Sequence, residues 1–301
     1  MKIRKKQAGG SIHRRRLIEF SLFALPWIIG FLAFQLYPLA QSFQISVSLL
    51  HVTRAGVQWI PDGFRNYRQV FTGPTKFLPE LLQAIILTLT QIPLVLCFAL
   101  AAAALMKQPL IGNTLFRGLF FLPVVVGSSA VINQLFAGGS SYSAGSIPLV
   151  VVGPFLADIV KVLGPTLGND IVEIFQHLSL VMWQSGVQTL LFLAGLYSVS
   201  QTYYEVARID GANAWQTFLK VTLPSISPVI LLAMVYSMVS FFTEPILNPL
   251  VNTITNEMFG QSSNGIGIAG AMGWVYFVAM FVVVAIVFRI AQRHVFYAGE
   301  R

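Results

Sequence analysis

Charge is what this sequence has least of. Of its 301 residues only 10% are charged, whereas 55% are hydrophobic and the mean hydropathy is +0.73. An ordinary soluble domain carries about 25% charged residues and needs them to coat its surface, so a water-soluble globule is excluded. Cysteine is nearly absent too. The single one, Cys97, sits in an apolar run, which rules out a disulfide framework or a thiolate metal site and leaves it as packing. The four histidines, His13, His51, His177 and His294, are scattered and none stands beside a carboxylate at ligand spacing, so a metal centre has no support. There is also no G-x-x-x-x-G-K-[ST] phosphate cradle, and no segment between the apolar runs is large enough for a nucleotide domain. The string GIGIAG at Gly265 to Gly270 does match G-x-G-x-x-G. It follows no predicted strand and has no acidic residue about 20 positions on, so it reads as a flexible lead-in to the last apolar run.

What the sequence does have is long apolar runs. A helix needs about 18 or more apolar residues to cross about 30 Å of hydrocarbon. Six stretches qualify, at about 20–45, 81–106, 118–137, 178–198, 221–243 and 266–288. Helices are the economical reading, because an open sheet edge in lipid leaves backbone groups unpaired. The expected fold is an all-α membrane protein of six transmembrane helices, without internal repeats. The first run follows a basic N-terminus but is too long for a signal peptide and lacks a small-residue cleavage site, so it is expected to stay uncleaved.

The segment IPLVVVGPFLADIVKVLG tempts a seventh crossing. With six spans and a cytoplasmic N-terminus, fourteen Lys/Arg lie inside and five outside; with seven the split becomes nine and nine and Lys161 is stranded in a helix. The positive-inside rule therefore favours six, with both termini cytoplasmic. The expected layout is a basic cytoplasmic segment at 1–16 and a six-span membrane domain at 17–295, ending in a tail at 296–301. External loops fall at about 46–80, 138–175 and 245–265, and a cytoplasmic loop at about 199–223. The basic N-terminal cluster is read as a topology determinant in contact with membrane lipid, not a nucleic-acid site.

That cytoplasmic loop, TYYEVARIDGANAWQTFLKVTLP, carries the functional signal. It reads as two short helices separated at Asp210-Gly211, with Asn213 able to cap the second and Pro224 suited to the first turn of the fifth span. Trp215, Phe218 and Leu219 fall at i, i+3, i+4 and form one apolar face. An amphipathic connector lying on the lipid surface is the plainer reading of such a loop. Beyond that reading, a charged edge of Glu205, Arg208 and Asp210 mixes with small residues, Ala207, Gly211, Ala212 and Ala214, which leave room for a partner surface.

The run from Glu205 to Pro224 resembles the EAA loop of inner-membrane permeases of binding-protein-dependent ABC importers. In that pattern Glu-Ala-Ala is followed by three residues, Gly, nine residues and Ile-x-Leu-Pro. Here it stands as Glu205-Val206-Ala207, Gly211, and then Val221 with Leu223-Pro224, with Val206 and Val221 as conservative departures. Asp210-Gly211-Ala212 is similar to the sugar-importing branch, the maltose and glycerol-phosphate type. The opening ALPWIIGFLAFQLYPLAQSF, the segment FRGLFFLP and the closing VFYAGER extend the resemblance over most of the chain. The resemblance implies a type I importer permease in a bacterial or archaeal inner membrane. It implies a second, similar or identical permease subunit, two cytoplasmic ATPase subunits and an extracytoplasmic solute-binding protein as partners. This chain would bind no cofactor and catalyse nothing, ATP and Mg being held by the ATPase. Its loop, through Glu205, Ala207, Asp210, Gly211, Ala212, Leu223 and Pro224, would couple to that ATPase.

A carbohydrate cargo asks for amides beside Trp or Tyr at mid-depth. Trp183, Gln184 and Gln188 in the fourth span meet that description, Trp274 and Tyr276 lie in the outer half of the sixth and Asn133 in the third adds an amide; helix-to-helix bonding or interfacial anchoring accounts for them equally well. Glu244 is expected near the outer surface, solvated. Two other classes are weaker. A secondary transporter would need ionisable residues buried mid-span, which these spans lack, and an intramembrane enzyme would need a nucleophile with its base. A permease for a non-sugar solute remains the nearest alternative.

Overall fold

A computed structural model describes residues 23–53, 56–73, 76–108, 118, 164, 181–182, 184–244, 248–260 and 264–296. The third expected span, apart from Gly118, and the second external loop, apart from Gly164, lie outside the described residues. So do the basic N-terminal segment and the end of the tail. The chain divides into two units, Met1–Thr75 with Ile254–Val275, and Lys76–Thr253 with Tyr276–Arg301.

In the first unit, helix α1 runs over Phe23–Ser46. Its ladder widens to a π-helical turn at Leu32–Leu36, where the Tyr37 N–H reaches back to the Leu32 carbonyl. The cause is Pro38, which has no N–H to offer the carbonyl four residues earlier, so the register slips by one. After α1 the chain forms an antiparallel hairpin of β1 (Ser48–Thr53) and β2 (Gly56–Pro61), with Ser48 opposite Pro61 and Thr53 opposite Gly56. Helix α2 (Arg65–Thr72) follows. The sequence alone reads this stretch as part of the external loop at about 46–80. Its strand residues are too few and too local to stand out beside the long runs around them.

Asn66 holds this unit together. It is 1% exposed, donates to the Ser46 and Ser48 carbonyls at 3.0 Å each, and accepts from Asn264 Nδ2 at 2.7 Å. The GIGIAG string belongs to this cluster and is not a flexible lead-in. It already lies in the long helix described below, and a Cβ on Gly267 would stand 2.7 Å from the Ser48 carbonyl oxygen and 2.9 Å from Asn66 Nδ2. Gly267 is required because backbone and amide approach where a side chain would be.

In the second unit, helix α3 (Phe77–Lys107) continues unbroken through Pro93. It packs against α4 (Gly186–Ser198) and α7 (Ser227–Thr243), which also pack on each other. Small residues make this possible. Ala99, Ala102 and Ala103 are buried on α3, and Gly195 of α4 lies so close to Val229 of α7 that a Cβ would come within 3.0 Å of it. Between α4 and α7 lie α5 (Gln201–Ile209) and α6 (Ala214–Ser225). Helix α8 (Pro249–Phe259) is capped by Asn248, whose Oδ1 accepts from the Leu250 N–H. Helix α9 (Gly265–Ala291) ends the described chain with a 3-10 turn at Gln292–His294.

Among the described residues, three helices are long and apolar enough to cross a bilayer: Phe23–Ser46, Phe77–Lys107 and Gly265–His294. The pair α6 and α7, bent by 67°, brings the number to four if taken as one span. That bend falls inside the stretch expected as the fifth span. The break falls at Ile226, so Pro224 closes the preceding helix and Pro228 occupies the first turn of α7. Val221 to Ser225 belong to the loop helix, and Pro228, with no N–H needing a partner and a φ already helical, sits where α7 begins.

Candidate functional site

The loop between α4 and α7 is built from three local devices. Ser200 starts α5 by accepting the Thr202 N–H. At the other end Gly211 adopts φ +76°, and the chain closes as a Schellman turn: Ala212 N–H bonds to the Ala207 carbonyl at 2.9 Å and Gly211 N–H to the Arg208 carbonyl at 3.1 Å. Asn213 then caps α6 through a capping box, with its Oδ1 accepting the Gln216 N–H at 2.8 Å and Gln216 Oε1 accepting the Asn213 N–H at 3.0 Å. Thus Asp210-Gly211 is the joint between two short helices, and Asn213 sets the direction of the second.

Helix α6 is not uniform. Phe218–Thr222 is a π-helical turn with the Leu223 N–H bonded to the Phe218 carbonyl, and Pro224 follows as Pro38 follows the widened turn in α1. The same missing N–H is the physical cause.

Glu205, Arg208, Asp210 and Gly211 are exposed, Ala212, Leu223 and Pro224 are half-buried, and Ala207 faces inward at 7% exposure. Among the described residues the three charges enter no ion pair. Beside them lies an apolar surface: Ile209 is 85% exposed, Trp215 67%, and Tyr203, Val206 and Leu219 are exposed as well. The Trp215 and Phe218 rings stack 5.9 Å apart. Exposed aromatic and aliphatic side chains thus stand beside the three charges on this loop. The small and charged residues and the face of Trp215, Phe218 and Leu219 are legible in the sequence, whereas Ile209 and Tyr203 do not stand out there. The signal for Ile209 was its place directly before a turn, where a helix ends with no following turn to cover it.

The residues assigned to a solute path divide. Asn133 and Trp183 lie outside the described residues. Gln188 is 2% exposed and its Nε2 donates to Ser237 Oγ of α7 at 2.9 Å, so it ties two helices together. Trp274 meets Phe43 edge-to-face at 5.3 Å. Tyr276 is buried, donates to the Phe242 carbonyl at 2.6 Å and accepts from Asn248. These contacts are bonds within the chain. Gln184 Oε1 and Gln188 Oε1, one turn apart on the same side, are buried acceptors with no partner among the described residues. Glu244 is half-buried, and burial raises its carboxyl above the ordinary carboxylate range, so it is not simply solvated.

Long apolar helices, with small residues packing between them, define a multi-pass membrane protein. The family model for the binding-protein-dependent transport system inner membrane component matches residues 141–296. A probable ABC transporter permease of Bacillus subtilis strain 168, YesP, is 30% identical over 96% of this chain and 95% of its own. The lactose transport system permease protein of Rhizobium radiobacter is 25% identical, over 79% of this chain and 80% of its own. Among solved structures, a bacterial alginate ABC transporter in complex with an alginate pentasaccharide-bound periplasmic protein matches with TM-score 0.53 and 21% identity, covering 94% of this chain and 96% of that one. That likeness shows the fold, a type I importer permease. The chain belongs to the family of binding-protein-dependent transport system inner membrane components.

Proposed function

We propose that this chain is one permease subunit of an ATP-driven importer, that its loop at 199–223 docks on a cytoplasmic ATPase, and that its cargo is a carbohydrate. The observation that carries the coupling role is the joint at Gly211. It holds two short helices at a set angle and leaves Ile209, Trp215, Glu205 and Asp210 turned outward. A surface that is apolar at its centre and charged at its edge suits a cleft in a soluble partner. ATP and Mg would reside on two copies of that ATPase, since this chain has no phosphate cradle of its own. A second permease, similar or identical, would complete the translocation path.

The carbohydrate assignment is supported by relatives named for lactose, for arabinooligosaccharides and for trehalose and maltose. Gln184 and Gln188 suit such a cargo, because their unpartnered carbonyl oxygens can accept from sugar hydroxyls. The test of coupling is Gly211→Trp together with Glu205→Lys. In complexes carrying either change, the permease should insert and fold while ATP hydrolysis loses its stimulation by loaded binding protein. Normal stimulation would remove the loop from the coupling role.

A further inference from the structure

Lys107 closes α3, and its ammonium donates to acceptors on two other elements, the Leu196 carbonyl of α4 at 2.9 Å and the Tyr204 hydroxyl of α5 at 3.3 Å. It also lies 4.8 Å from the centroid of the Tyr204 ring. The Tyr204 hydroxyl in turn accepts from Thr222 Oγ1 of α6 at 3.3 Å. The chemistry is consistent at each point. Leu196 lies in the last turn of α4, where carbonyls lack intrahelical donors, and a cation is favoured at the C-terminal ends of both α3 and α4. The aromatic face adds a cation–π attraction. Leu196 and Thr222 are 2% and 6% exposed, so water competes poorly for these bonds. Among the described residues no Asp or Glu pairs with Lys107.

Chain connectivity gives this cluster its meaning. Helices α5 and α6 are joined through the backbone to α4 and α7, so any displacement of the loop pulls on those two directly. Helix α3 has no such link: Lys107 and Tyr204 are 97 residues apart in sequence. We propose that Lys107 and Tyr204 form a latch that carries movement of the loop into α3, with Thr222 tying the second loop helix to the same hydroxyl. This rests on reading 199–223 as the ATPase-coupling loop. Both are positioning residues and neither need touch the solute. A transmitted motion requires packed elements with two discrete arrangements, and a charge-assisted bond of this kind biases such an equilibrium by about tenfold.

Cys97, exposed on α3, offers a native reporter. A nitroxide maleimide attached to it, in the complete complex with cysteine-free partner subunits in lipid bilayers, should give a spectrum that changes when Mg-ATP and vanadate are added. In Lys107→Met and in Tyr204→Phe that change should fall about tenfold while vanadate still traps nucleotide, and Lys107→Arg should restore most of it. Tyr204→Phe keeps the ring and removes only the hydroxyl, so it carries the test if Lys107→Met does not assemble. An undiminished change in the variants, or none in the unaltered protein, overturns the latch, as does lost stability with the change intact. Gly211→Trp separates the two levels. If it abolishes the change and the latch variants do not, only the latch fails; if it too leaves the change intact, the loop is not the coupling element and both readings fall.

Discussion

Replacing Gly211 by a graded series, Asn, Ala and Val, separates backbone geometry from bulk. The residue sits at φ +76°, and a Cβ built there meets no atom within 4 Å. A Cβ therefore meets no obstacle among the described residues, and the cost considered is that of holding an L residue in the left-handed region. That cost is a few tenths of a kcal/mol for Asn, about 1 kcal/mol for Ala and about 2 kcal/mol for the β-branched Val. At 1.4 kcal/mol per decade, opening of the turn should rise about fivefold for Ala and about thirtyfold for Val. The Ala212 amide, bonded to the Ala207 carbonyl at 2.9 Å, reads the turn directly. Hydrogen exchange followed by mass spectrometry over residues 203–215 should rank the variants Gly, Asn, Ala, Val from slowest to fastest, with retention of the ATPase on purification falling in the same order. Exchange in Ala as slow as in Gly, or in Asn as fast as in Val, would refute the claim that a left-handed backbone sets this joint.

Other outcomes follow from the same structure. In a Cys97→Ser background, a cysteine at Asn213 should label only from the cytoplasm and one at Ser141 only from outside; labelling of both from one face would overturn the six-span topology. Gly267→Ala forces a methyl to within 3.0 Å of three polar atoms of the Ser48, Asn66 and Asn264 cluster and should cost about 2 kcal/mol, seen as a lowered melting midpoint. Gly270→Ala, whose nearest atoms stand at 3.4 Å or beyond, is the control that should melt normally. Gln184→Leu with Gln188→Leu removes one bond to Ser237 and two orphaned acceptors, so stability should shift by no more than about 1 kcal/mol. Loss of sugar uptake with ATP hydrolysis still responsive to binding protein would place the pair on the path, whereas normal uptake would return it to packing.

Much of this protein was legible in its composition and spacing. An apolar content of 55% with 10% charge determines a membrane solvent, and the lengths of the runs determine helices, because lipid leaves backbone groups no other way to be satisfied. The loop was legible for a local reason. The Schellman turn at Gly211 and the cap at Asn213 use partners within five residues, so their chemistry is written in consecutive letters. What the tertiary structure alone decided depends on residues far apart in sequence. Gly267 reads as freedom and is in fact a close approach to Ser48 and Asn66, over 200 positions away. Tyr276 and Gln188 read equally as path residues or as helix-to-helix bonds, and only the tertiary structure shows the bonds they make, to the Phe242 carbonyl and to Ser237. Lys107 reads as one more positive-inside charge, and only folding brings Leu196 and Tyr204 to it. In a bilayer nearly every helix face is apolar, so periodicity cannot say which face meets which neighbour; the small residues and the few polar bonds settle that, and they act only once the helices are together.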